Sequence, residues 1–151
     1  MGKEIAACAI KLRLFIIVFA AIALSLASCT TNGGDLDGLW GQWRVESIAI
    51  DGSPDNDYKG NLYFSFQKYA VRVTEVIDED MGSSRGTLGT FTFSRPDLVI
   101  TFGMPEYAPL KSSHMVAGDN HVKATYAGNN RMEWTFSTDG VDYIFKLKQN
   151  K

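Results

Sequence analysis

His114 and His121 flank Asp119 and are the only two histidines in the chain. Such a set could begin a zinc site. Zinc needs further strong ligands at close spacing, and the segment offers no thiolate. His121 alternates with Val122, which turns it outward if the segment is a strand, and His114 falls in a loop. Asp51-Gly52-Ser53-Pro54-Asp55-Asn56-Asp57 carries oxygens at alternating positions, as a calcium loop does. Pro54 interrupts it, and Leu62 stands where the bidentate glutamate is required. Asp78-Glu79-Asp80 reads as a solvated hairpin tip. The chain has no Gly-x-Ser-x-Gly, no Cys–His pairing, no phosphate loop and no dinucleotide fingerprint. Its acidic residues fall mostly on turns or outward faces, so no pair of carboxylates is assembled for acid–base work. The expectation is no metal, no cofactor and no enzyme. The one residue with a clear covalent chemistry is Cys29.

Leu26-Ala27-Ser28-Cys29 resembles the bacterial lipobox, a leucine and two small residues before a cysteine. The resemblance implies thioether lipidation of Cys29, cleavage before it and acylation of the new N-terminus. The residue types suit that chemistry, because small side chains admit a peptidase and a thiolate is the nucleophile that takes a diacylglyceryl group. The motif follows a basic stretch with Lys3, Lys11 and Arg13 and the uncharged run Leu14 to Ala27. A permanent spanning helix needs ~20 apolar residues, so this run suits a secretory signal instead. Residues 1–28 are therefore read as a signal peptide and 29–37, Gly-rich and polar, as a flexible tether. Thr30 follows the cysteine in place of the aspartate associated with inner-membrane retention, which favours the outer membrane. Asp35 and Asp37 leave open whether the protein faces the periplasm or the cell surface.

Loss of the leader takes three cations and one anion, moving the formal charge from −2 to −4. A mildly acidic chain does not track phosphates, so no nucleic-acid partner is expected. Cys8 leaves with the leader and Cys29 is acylated, so the mature domain has no disulfide and rests on core packing. Of the 151 residues, 45% are hydrophobic and 21% charged, which fits one folded domain over 38–151.

After residue 50 alternation replaces any helical period. Eight strands are predicted near 40–50, 61–66, 69–77, 85–94, 98–102, 121–127, 131–138 and 141–149. Asp139-Gly140 is a type I′ dipeptide. It pairs Thr138 with Val141, Phe136 with Tyr143, Trp134 with Phe145 and Met132 with Leu147, and sets Glu133 against Lys146 on the other face. A three-residue loop, Gly128-Asn129-Asn130, pairs Tyr126 with Met132 and Ala124 with Trp134. A four-residue loop, Ser94 to Asp97, pairs Phe93 with Leu98, Phe91 with Ile100 and Gly89 with Phe102. Gln67-Lys68 would pair Phe66 with Tyr69, Phe64 with Val71 and Leu62 with Val73. All four hairpins keep one apolar face. Such strands close most simply into an eight-stranded antiparallel up-and-down barrel, which removes both edges. The alternative is a two-sheet β-sandwich, whose long crossover only 103–120 could supply.

Gly38-Leu39-Trp40 and Gly41-Gln42-Trp43 are two successive Gly-x-Trp triplets, the second followed by Arg44 and Val45. The lipocalin superfamily opens its first strand this way. The chain is similar, over about 38–151, to the lipocalin-like lipoproteins of Gram-negative bacteria, the Bacteroidetes type in particular. The resemblance implies a lipocalin-like barrel with Trp43 plugging its closed end. Glycine before a large indole also allows close strand crossing on physical grounds alone.

The inward set includes Phe64, Val71, Phe91, Phe93, Ile100, Phe102, Tyr126, Trp134, Tyr143 and Phe145. A barrel of this size is either filled by side chains or holds one small ligand. The aromatics suit both outcomes. As ligand-binding residues the sequence nominates Phe64, Phe91, Phe93, Phe102, Tyr126, Trp134 and Tyr143, with the two tyrosines as polar handles. Segment 103–120, with Met104, Tyr107, Leu110, Met115 and Val116, is either a lid over the mouth or a packed connector. Two functions follow. The first is a lipid-anchored carrier of a small apolar or amphipathic molecule. The second is an envelope module that presents 51–60 and 78–84 to a protein or glycan.

Overall fold

The computed structural model describes residues 38–103 and 105–150. The leader, Cys29, the tether 29–37, Met104 and Lys151 lie outside the described residues. Nine strands follow in order: β1 Gly41–Ile50, β2 Ser53–Pro54, β3 Leu62–Gln67, β4 Ala70–Asp78, β5 Ser83–Ser94, β6 Asp97–Phe102, β7 Gly118–Gly128, β8 Arg131–Thr138 and β9 Val141–Asn150. β2 is a two-residue bridge folded back on β1. The other eight form one antiparallel sheet in sequence order, and β1 pairs with both β3 and β9, which closes it into a barrel. The connection 103–117 joins neighbours, because β6 pairs with β7 from Asp97↔Lys123 to Phe102↔Gly118. It is no crossover, and the sandwich alternative falls.

Side-chain parity decides the core. β8 alternates exposed and buried, with Met132, Trp134 and Phe136 inward, and its ladder with β9 runs Thr138↔Val141, Phe136↔Tyr143, Trp134↔Phe145 and Met132↔Leu147. Asp139 at φ 53° and Gly140 at φ 81° supply the turn that fixes this register. Trp43, Phe64, Phe66, Trp134 and Phe145 are fully buried. Burial of each such side chain contributes roughly 2–3 kcal/mol.

Three hairpins differ in detail from the sequence expectation. β3 and β4 pair as Phe66↔Val71, Phe64↔Val73 and Leu62↔Glu75, two residues along from the expected register. The turn is Lys68-Tyr69, with Lys68 at φ 53°. A two-residue slip keeps every side chain on its face, so parity fixed the faces without fixing the partner. The expected loop at 128–130 is a two-residue Asn129-Asn130 turn, at φ 50° and 57°, plus a bulge between Tyr126 and Gly128. The bulge absorbs the odd residue and leaves Tyr126↔Met132 as expected. Ser94 pairs with Asp97, so that loop is only Arg95-Pro96. The same ladder ends at Thr90↔Thr101, short of Gly89 and Phe102. The Phe102 ring instead lies over Gly89, where an added Cβ would stand 3.1 Å from it and 2.8 Å from Thr101 O.

Candidate functional site

The barrel has a closed end and a mouth. At the closed end Gly38 and Gly41 take φ 84° and 105°, which bends the chain across the barrel floor. Leu39 and Trp43 are buried there, and the Trp43 indole N–H donates to Leu39 O at 2.9 Å. Tyr126 meets Trp43 edge-on at 6.1 Å, and the Arg95 guanidinium lies 4.3 Å from the Tyr126 ring centre.

Above this floor aromatic rings touch across the lumen. Phe64 and Trp134 stand 4.8 Å apart, Phe66 and Phe91 4.9 Å, and Phe66 and Trp134 6.0 Å, all edge-to-face. Of the residues nominated for a ligand, Phe64, Phe91, Phe102 and Trp134 are therefore core. Phe93 and Tyr126 are half-buried against that core. Tyr143 alone lies toward the mouth, between Phe136 at 5.2 Å and His114 at 4.7 Å, both stacked.

His114 arrives there from the connector. Pro105–Tyr107 and Lys111–Ser113 are short 3-10 turns, and His114 ends the second at φ 54°. Ser113 and Met115 are buried and Leu110 packs on the core, so this part of the connector covers the barrel end. Buried Asn120 holds it down. Its side chain accepts the Val116 N–H at 2.9 Å and donates to Val116 O at 2.9 Å. The same amide group lies 3.2 Å from both Ile100 O and Gly118 O. Burial lowers the His114 pKa below its ordinary 6.5, and the Asp55 carboxylate opposes that shift.

Beside His114 the mouth opens as a concavity of about 450 Å³ lined by Asp55, Lys59, Glu75, Ile77, Arg85 and Ser112, among others. Glu75 and Arg85 are cross-strand partners on β4 and β5, and Arg85 Nε donates to Glu75 Oε2 at 2.6 Å. Glu75 shares parity with buried Val71 and Val73, so the strand carries a carboxylate inward with its side chain only 14% exposed. One inward position below Arg85, Thr87 is 4% exposed, and its hydroxyl has no hydrogen-bond partner. The Ser112 hydroxyl is likewise buried without one. The neighbouring loop is fixed by Tyr58, whose hydroxyl donates to Val45 O at 2.9 Å and accepts the Leu62 N–H at 3.1 Å. Burial pushes that hydroxyl up to about 12.

A second concavity, about 700 Å³, lies along β6 to β9 and is lined by outward residues such as Val99, His121 and Ile144 together with inward ones such as Val122 and Phe136. It forms where the β7–β8 ladder stops at Lys123↔Thr135. The two histidines thus belong to separate concavities. Among the described residues no three His, Asp or Glu side chains converge as a metal site would require. The sequence reading missed Glu75, Arg85, Thr87, Ser112 and Asn120. The signal for Glu75 was present, since it continues the inward parity of Val71 and Val73.

No protein-family model matches the chain, and no curated protein does. Two solved structures resemble it. A lipocalin-like protein from Bacteroides uniformis is 18% identical with a TM-score of 0.54, covering 72% of this chain and 96% of that one. An uncharacterized protein from Bacteroides eggerthii is 16% identical with a TM-score of 0.49, covering 71% and 97%. With its ladder closed between β1 and β9, the chain has a lipocalin-like fold, an eight-stranded antiparallel barrel.

Proposed function

We propose that the protein is an outer-membrane lipoprotein, anchored through Cys29, that binds a small amphipathic molecule at the barrel mouth. The observation that carries the binding part of this reading is the concavity beside His114, lined by the Glu75–Arg85 pair, Lys59, Ser112 and the exposed Ile77. The filled lower lumen moves the ligand from the barrel centre to the mouth. Polar groups of the ligand meet Arg85, Ser112 and His114, and its apolar part lies over Ile77, 61% exposed on the rim. Binding, not catalysis, is the assigned role. The test is an amide NMR titration of the full chain with cholate, lysophospholipid, a fatty acid and haem. Shifts at Arg85, Ser112 and His114, with Phe64 and Trp134 unmoved, support the reading. If none of the four perturbs the mouth, it fails.

A second reading has its own observation. Ile77 and Met81, 61% and 80% exposed, sit together on the β4–β5 hairpin beside the loop 51–60. Exposed apolar side chains at a loop tip suit a protein or glycan partner in the envelope. Capture of one reproducible envelope partner, lost in Ile77→Ser/Met81→Ser, would favour this module over the carrier.

A further inference from the structure

The barrel is electrically polarised along its axis. The mouth turns are acidic. Asp51, Asp55 and Asp57 lie in one, Asp78, Glu79 and Asp80 in the next, and Asp139 and Asp142 at the β8–β9 turn. Lys59 and Lys111 are the cations in the mouth loops among the described residues. The closed end has the opposite character. Among the described residues its acidic side chains face cations: Asp97 pairs across strands with Lys123, Glu133 with Lys146, and Glu46 accepts from Arg131 at 3.3 Å. Further positive charge is added there by exposed Lys68, Arg72 and Lys148.

Lys68 and Arg72 adjoin at the β3–β4 hairpin, and Lys148 lies further round the same rim. Arg72 is on β4, Lys68 in the β3–β4 turn and Lys148 on β9, and β3, β1 and β9 are successive neighbours. The described chain begins at Gly38, just before β1, whose neighbours β3 and β9 lead to Lys68 on one side and Lys148 on the other. Beside Lys68 at the turn tip stands Tyr69, 81% exposed. An exposed tyrosine next to a lysine is the pairing found at membrane–water interfaces, where the ring enters the headgroup layer and the cation meets phosphate.

We infer that the closed end docks on an anionic phospholipid surface through Lys68, Tyr69, Arg72 and Lys148, so that the mouth points away from the bilayer. A tether to this surface rests on the anchoring through Cys29 proposed above. Cys29 is nine residues before Gly38. Nine residues reach at most about 30 Å. A lipid at Cys29 therefore keeps this end close to headgroups and raises its effective concentration there, so a weakly binding face suffices. The acidic mouth is repelled by the same surface.

Hydrogen exchange of the full chain, read by mass spectrometry, tests this on phosphatidylcholine vesicles with and without phosphatidylglycerol. Exchange of the 67–70 turn should slow about threefold or more when phosphatidylglycerol is present, and the 78–83 hairpin should not change. High salt, or Lys68→Glu/Arg72→Glu, should abolish the difference. Equal exchange on both lipids, or protection at 78–83, overturns the docking. Intact mass separately reports acylation. An unmodified Cys29 removes the anchor, and the docking is still decided by lipid-dependent protection at 67–70.

Discussion

Phe64 on β3 and Trp134 on β8 meet edge-to-face with ring centroids 4.8 Å apart, although three steps around the barrel separate their strands. That contact bridges the lumen. With Phe66 and Phe91 it makes this part of the lumen a packed core. The Trp134 indole N–H points to Met132 Sδ at 3.2 Å, so the ring is satisfied as well as buried.

Trp134→Ala should cost about 3–5 kcal/mol, since it removes a fully buried ring whose neighbours come from opposite walls and collapse only partly. Urea unfolding followed by circular dichroism measures it. Tyr69→Ala, at an exposed turn, should stay within about 0.5 kcal/mol of the parent.

Much of this arrangement was legible in the chain. A period of two, with Asp139-Gly140 fixing one register, was enough to place Trp134 beside Phe145 on the inner face. Parity could not separate Val71 from Val73 as the partner of Phe64, because both lie on that face. Loop chemistry was the weaker guide. Lys68-Tyr69 is not a favoured turn pair, yet it forms the turn because the strands on either side gain six cross-strand pairs. The mouth was the least legible part. Glu75 and Arg85 meet only once β4 and β5 are registered, and His114 reaches Tyr143 through a connector with no repeating pattern.

Tyr58→Phe removes a hydroxyl that donates to Val45 O and accepts the Leu62 N–H, leaving that N–H without its partner beside a fully buried side chain. A loss of about 1–3 kcal/mol is expected. The pH dependence has a definite sign. The folded hydroxyl ionises near 12 against an ordinary 10.0, so its contribution is complete below pH 10.0 and is lost as the pH rises toward 12. Comparing urea midpoints at about pH 8 and about pH 11 should show a smaller alkaline loss in the variant than in the parent.

His114 predicts the opposite limb. Burial holds its folded pKa below 6.5, so near and below that pH the unfolded chain binds more protons than the folded one. The associated stability is present above pH 6.5 and is lost as the pH falls through the folded value. His114→Gln should flatten this acid limb. Asp55→Asn, which removes the opposing carboxylate, should move the ring titration lower still. Proton NMR of the imidazole gives both midpoints, and a His114 midpoint above 6.5 would contradict the burial argument.

Asn120→Leu separates the connector from the barrel beneath it. The side chain keeps its volume but loses the two bonds to Val116 and the contacts to Ile100 O and Gly118 O. The Val116 N–H, which Asn120 satisfies, then has to find water, and a cost of about 1–3 kcal/mol is expected. The cost should be local before it is global, because β7 still pairs with β6 across 118–123 and its inward Val122 and Ala124 remain buried. Native-state hydrogen exchange distinguishes the two. Amides of 111–118 should exchange faster while those of β8 and β9 keep their protection. Loosening the connector also frees His114 from Tyr143, so if the proposed mouth site binds a ligand its affinity should change in the same variant. If exchange rises uniformly across the barrel instead, Asn120 supports the whole sheet and the connector is no separate unit.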